Sequence, residues 1–87
     1  MNHRQAKAGS LESSDLLVVI SQSKGVNVEI NSIVQNQFGL QIRNLVMSII
    51  EEYRLEDVDV LIQDRGALDY AIKARMETAI KRYRREV

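Results

Sequence analysis

The 87-residue sequence has no cysteine, which argues against a disulfide-stapled extracellular scaffold and against a zinc module of the thiolate type. Its one histidine, His3, has no neighbouring group to orient it as a general base and reads as a solvated side chain. The glycines, Gly9, Gly25, Gly39 and Gly66, are too scattered for a dinucleotide or phosphate-binding loop. No stretch approaches the roughly 20 apolar residues that span a bilayer, and the first residues, Met1 to Lys7, lead into no apolar run of the signal-peptide kind. These absences favour a cytosolic chain that neither inserts into membranes nor is exported.

What is present describes a folded domain. The chain is 45% hydrophobic and 28% charged, with 12 basic and 12 acidic residues, and shows none of the imbalance of a disordered segment. A domain of this size buries roughly 60–65% of the surface its unfolded chain exposes, enough for one compact core. The zero net charge hides an asymmetry. Glu51, Glu52, Glu56, Asp57, Asp59, Asp64 and Asp69 precede Lys73, Arg75, Lys81, Arg82, Arg84 and Arg85. The late cations suit the negative carboxyl end of a helix; they are too few to be the whole electrostatic footprint of a nucleic-acid-binding protein.

Residues 1–15 lack helical or strand periodicity and are expected to form a flexible, exposed arm. The run Leu16 to Ser21 is short and β-branched, a strand with Leu16, Val18 and Ile20 on one face and Leu17 and Val19 on the other. After Gln22-Ser23-Lys24-Gly25, the segment Val26 to Asn31 alternates apolar with polar and predicts a β-hairpin with the first strand. Asn31 or Ser32 can cap a helix, with Gln35 in capping-box position, and Val34, Phe38, Ile42, Leu45, Val46, Ile49, Ile50 and Tyr53 form its apolar stripe. Val58 to Asp64 alternates again as a third strand. Asp64-Arg65-Gly66 makes a turn, and Leu68, Ala71, Ile72, Met76, Ala79, Ile80 and Tyr83 mark a second helix that frays near Val87. The expected fold is a two-layer, single-domain α+β structure over residues 16–87, of order β-β-α-β-α, with a three-stranded sheet packed by two helices and one sheet face left open.

Few residues carry chemistry. Asp64 and Asp69 bracket Gly66 and can in principle hold Mg²⁺ or act as acid and base, but turn formation and helix-dipole roles suit them better. Ser10, Ser13 and Ser14, with Glu12 and Asp15, sit just before the first strand. By composition alone they serve turns or solubility.

The segment Gly9-Ser10-Leu11-Glu12-Ser13-Ser14-Asp15 resembles the attachment motif of citrate lyase acyl carrier proteins, and Ser13 falls on the family's modified serine. The resemblance continues through Ile30-Asn31-Ser32-Ile33-Val34, Gln37-Phe38-Gly39, Asp64-Arg65-Gly66-Ala67-Leu68-Asp69 and Ala74-Arg75-Met76-Glu77. It implies a phosphoribosyl-dephospho-coenzyme A group joined to Ser13 by a phosphodiester and ending in a thiol. It further implies a non-catalytic cytoplasmic subunit that carries acetyl and citryl thioesters between the transferase (alpha) and lyase (beta) subunits of citrate lyase in citrate fermentation. A cofactor-attaching holo-protein synthase and an acetylating ligase would complete its partners. The family usually has glycine after the modified serine; here that residue is Ser14, which makes Ser14 the second choice for attachment.

Two alternatives remain. One is the carrier subunit of malonate decarboxylase, similar in using the same kind of group on a serine. The other is a noncovalent interaction or nucleic-acid-binding domain, which the cationic end favours but which lacks an RNA-binding glycine loop or an aromatic stacking platform. Gly66 to Asp69 and the basic helix face are candidate contacts for partner subunits or an ordinary turn and solvated surface.

Overall fold

The computed structural model of the chain describes residues 4–33 and 35–85, without the side chains of 35–38. His3, Val34 and Val87 lie outside the described residues, as do the side chains of Gln35, Gln37 and Phe38. The element order is β1 (Gln5–Gly9), β2 (Leu16–Gln22), β3 (Val26–Ser32), α1 (Gln35–Glu52), β4 (Val58–Asp64) and α2 (Asp69–Arg85). This is an α+β domain, with a four-stranded sheet in the order β1-β2-β4-β3.

Two expectations are corrected. Part of the expected arm is a strand: β1 pairs antiparallel with β2, Ala6 opposite Ile20 and Ala8 opposite Val18, so the sheet has four strands instead of three. Alanine, glycine, lysine and glutamine are weak strand formers, and β1 is held by its neighbours. Ala6 and Ala8 are buried, Arg82 of α2 donates to the Lys7 carbonyl at 2.8 Å, and the Arg4 guanidinium stacks 4.6 Å above the Tyr83 ring. Arg82, one of the late cations, and the early Arg4 therefore fasten the sheet edge to α2.

The expected hairpin does not form either. β4 lies between β2 and β3, antiparallel to β2 and parallel to β3. Two strand spacings are roughly 10 Å, a gap that the residues Ser23 to Gly25 can just cross when extended. The crossing is anchored over the start of β4: Ser23 N–H donates to the Asp57 carbonyl at 2.9 Å and Gly25 N–H to the Asp57 carboxylate at 2.9 Å. The arrangement follows from polarity. β4 carries Val58, Val60 and Ile62, all buried, with Leu61 half-buried on its other face. β3 carries exposed Asn27, Glu29 and Asn31, side chains that are tolerated at a sheet edge.

Asn31 and Ser32 end β3, shortly before α1 begins at Gln35, and the Ser32 hydroxyl donates to Asp64 at 2.6 Å.

The helices meet each other, α1 covering β3 and α2 covering β1 and β2. The core joins Leu16, Val18, Ile20, Val58, Val60 and Ile62 to Ile42, Val46, Ile49 and Ile50 of α1 and to Ile72, Met76, Ala79, Ile80 and Tyr83 of α2. On the opposite sheet face Leu17, Val19 and Leu61 are half-buried, as expected of an open face. No helix among the described residues is long and apolar enough to cross a membrane.

Asp64 closes β4 and is the sole buried charged side chain among the described residues, 1% exposed. Besides Ser32 it accepts the N–H groups of Gly66 at 3.2 Å and Ala67 at 3.0 Å. Asp64→Ala leaves these donors without their acceptor, and urea unfolding should show a loss of roughly 2–4 kcal/mol; an unchanged midpoint would contradict this role.

Candidate functional site

The serine segment is the β1–β2 connection, residues 10–15, and its path is fixed by the backbone. Gly9 has φ 95°, and a Cβ there would fall 1.9 Å from the Leu16 carbonyl oxygen, so no larger residue fits the approach of the two strands. Ser10 N–H donates to that same carbonyl at 3.0 Å. Within the loop Asp15 N–H donates to the Glu12 carbonyl at 3.1 Å, closing a turn over Glu12 to Asp15. The loop is stitched to the end of β4, Ser14 N–H donating to the Arg65 carbonyl at 2.8 Å and Arg65 N–H to the Asp15 carbonyl at 2.9 Å.

Ser13 lies in this turn, exposed, and its hydroxyl makes no hydrogen bond among the described residues. Ser14 follows with φ 64°. Left-handed backbone costs an L-residue roughly 1–2 kcal/mol relative to glycine's freedom. Its position is the one where the resembled family has glycine, and the geometry supplies a physical reason for that preference. Ser14→Gly should raise stability by up to about 1 kcal/mol once glycine's larger unfolded-state entropy is counted, whereas Ser14→Val should lower it by about 1–2 kcal/mol. Urea midpoints of the two variants check this, and equal midpoints would rule out strain at this residue.

Asp15 holds the loop's shape from its other side. Its carboxylate accepts from the Ser10 hydroxyl at 2.7 Å and from its neighbour Leu16 N–H at 2.7 Å. It also takes both arms of the Arg75 guanidinium, at 3.1 and 2.9 Å. Such forked pairs fix orientation. With the Arg75 side chain 44% exposed, the pair contributes geometry more than stability.

Arg75, then Ser10 and the Leu16 N–H, hold the Asp15 carboxyl down at about 2, against an ordinary 3.8. A depressed carboxyl favours the fold above its unfolded value, and the contribution disappears as pH falls from about 3.8 through about 2. An NMR titration of Asp15 should therefore give a midpoint near 2 in the parent chain and a higher one in Arg75→Ala, and identical midpoints would show that Arg75 does not engage it.

A groove of about 660 Å³ opens at this same end of the fold, between α1 and the entry to α2. Ile42, Ala67, Leu68 and Ile72 supply its apolar wall, and Gln41, Asp69 and Tyr70 its polar groups. Leu68, expected in the core stripe, is 62% exposed, and Tyr70 is 73% exposed. Ile33 and Leu40, also exposed, lie in the same region of the chain, flanking the start of α1.

Of the sequence candidates, Ser13, Ser14 and Asp15 share one turn, and Asp64 adjoins it through Arg65. Asp64 makes the turn as expected, and Asp69 opens α2. Among the described residues no group of three or more histidine, cysteine or acidic side chains is arranged to hold a metal ion. Arg75 as a clamp and Tyr70 at a groove were not foreseen from periodicity. Tyr70, an aromatic residue outside the apolar stripe of α2, was the one available signal.

The family described as Malonate decarboxylase delta subunit (MdcD), an acyl carrier family, matches residues 3–83 of this chain. Among curated proteins, the citrate lyase acyl carrier protein of Halothermothrix orenii is 45% identical over 80 residues, covering 91% of this chain and 85% of the relative. That of Treponema denticola is 42% identical over 79 residues, covering 91% of each. That of Serratia proteamaculans is 43% identical over 81 residues, covering 91% of this chain and 79% of the relative. Among solved structures, a chain of a Pseudomonas malonate decarboxylase hetero-tetramer in complex with malonate superposes with a TM-score of 0.77 at 18% identity, covering 95% of this chain and 99% of that one. At that identity the likeness speaks for the fold.

Proposed function

Since the chain belongs to the acyl carrier family that includes the citrate lyase acyl carrier proteins, we propose that it is the carrier subunit of a citrate lyase, bearing its prosthetic group on Ser13. The observation that carries the reading is similarity of 42–45% identity along nearly the whole chain to proteins of that name. The geometry agrees with it. Attachment by a separate enzyme needs an exposed hydroxyl on a backbone of defined shape, and the turn at Ser13 offers both.

The group proposed is phosphoribosyl-dephospho-coenzyme A, linked to the Ser13 oxygen as a phosphodiester. When bound it supplies a terminal thiol able to hold an acyl group as a thioester. The chain's own residues do the rest. Ser14 and Asp15 bond to Arg65, Asp15 bonds to Ser10 and Arg75, and together they hold the attachment point at a fixed place on a firm base. Beyond that point a flexible arm raises the effective concentration of its end at sites within its reach. The chain needs no active site of its own in this role. Its partners would be the transferase and lyase subunits that split citrate to acetate and oxaloacetate, the cofactor-attaching synthase and the acetylating ligase, all in the cytoplasm. Ser14, whose left-handed backbone occupies the family's glycine position, is the poorer attachment site.

The carrier of malonate decarboxylase is the second reading, favoured by the description of the matching family and by the fold neighbour. Mass measurement on protein made together with the attaching enzyme should show one added group, retained in Ser14→Gly and lost in Ser13→Ala. Attachment that survives Ser13→Ala would move the site, and an unmodified chain would overturn the carrier reading. Purified transferase and lyase subunits of citrate lyase should then accept the loaded carrier; acceptance by malonate decarboxylase subunits alone would favour the second reading.

A further inference from the structure

We propose that the groove between α1 and the entry to α2 is a resting site for the adenosine portion of the prosthetic arm, an inference that rests on the carrier reading above. The first ground is continuity. Arg65 is bonded through its carbonyl to Ser14 and through its N–H to Asp15, and the next residue, Gly66, already lines the groove. The loop that bears Ser13 and the groove thus share one short backbone segment at one end of the domain.

The second ground is chemical fit. Adenine has two flat apolar faces and a rim carrying an amine donor and ring-nitrogen acceptors. The groove offers Ile42, Ala67 and Ile72 as an apolar floor. Tyr70 gives an exposed aromatic ring at its side, Gln41 an amide that both donates and accepts, and Asp69 a carboxylate that accepts. This combination of a mainly apolar wall and a few convergent polar groups is the usual make-up of a small-molecule site, and 660 Å³ falls within the usual span of about 300–1,000 Å³.

The third ground is exposure. Leu68 and Tyr70 stand 62% and 73% exposed beside an apolar cavity, an arrangement that usually marks an interaction site. A tethered ligand meets such a site at an effective concentration on the order of millimolar, so a weak site is well occupied. Parking the nucleotide there would leave the thiol end of the arm free while shortening the length that swings.

The test compares NMR spectra of the full chain before and after attachment, with mass measurement confirming that the group is present. Attachment should shift the Gln41 side-chain amide, the Ala67 N–H and the methyls of Ile42 and Ile72, and adenine ring protons should show proximity to those methyls. Leu68→Asp combined with Tyr70→Ala alters exposed side chains only and should abolish the groove shifts while those of Leu11 to Asp15 persist. If mass shows attachment but shifts stay within the serine loop and Arg65, the groove is not the resting site and the carrier reading stands. Groove shifts that arise only on adding the transferase subunit would likewise overturn the inference, assigning the surface to that partner. Absence of the added mass would overturn the carrier reading and this inference together.

Discussion

The buried carboxylate of Asp64 is the joint on which this end of the molecule depends. It closes the central strand, accepts the hydroxyl of Ser32 from the neighbouring parallel strand, and turns the chain by taking the N–H groups of Gly66 and Ala67. A charge this deep is tolerated only when its acceptor capacity is used, and here it is used by three donors from two segments. The residue after it, Arg65, is thereby presented with its backbone groups facing the serine loop. The residues after that lead into α2 and wall the groove. Sheet edge, helix entry and serine turn share one reference point.

Periodicity made most of the elements legible, because each large apolar stripe has a face to bury. Leu16, Val18 and Ile20, Val58, Val60 and Ile62, Ile42, Val46, Ile49 and Ile50 of α1, and Ile72, Met76, Ala79, Ile80 and Tyr83 of α2 are in the core as their spacing predicts. Spacing says nothing about which strand neighbours which. Val26 to Ser32 and Leu16 to Gln22 look like a hairpin because they are close in sequence, yet the more apolar Val58 to Asp64 is better buried between them. β1 was illegible for the opposite reason: its inward residues are Ala6 and Ala8, too small to mark a stripe, and small because α2 lies directly over them. Leu68 fits the helix period but precedes the helix, where the turn carries it outward.

At the site, Ser13 and Ser14 were legible as a motif only through family resemblance, whereas the structure supplies a physical account of the second of them. A positive φ at Ser14 explains why glycine suits that place and why serine can still occupy it at a modest energetic cost. Asp15 reads from the sequence as one acid among several. Its partner Arg75 stands 60 positions away, a separation at which no local pattern can pair two charges. The groove was hidden in the same way, since its walls come from two helices whose relative placement only the folded core determines.

That separation has a consequence for quality control. Apart from those of the adjoining Leu16, the bonds that shape the serine turn from outside come from the far half of the chain: the backbone of Arg65 and the guanidinium of Arg75. A nascent or misfolded chain can contain all seven residues from Gly9 to Asp15 and still lack the turn. Under the proposed function, an attaching enzyme that recognised the turn's shape rather than its sequence would therefore proofread the whole domain, modifying only chains that have finished folding.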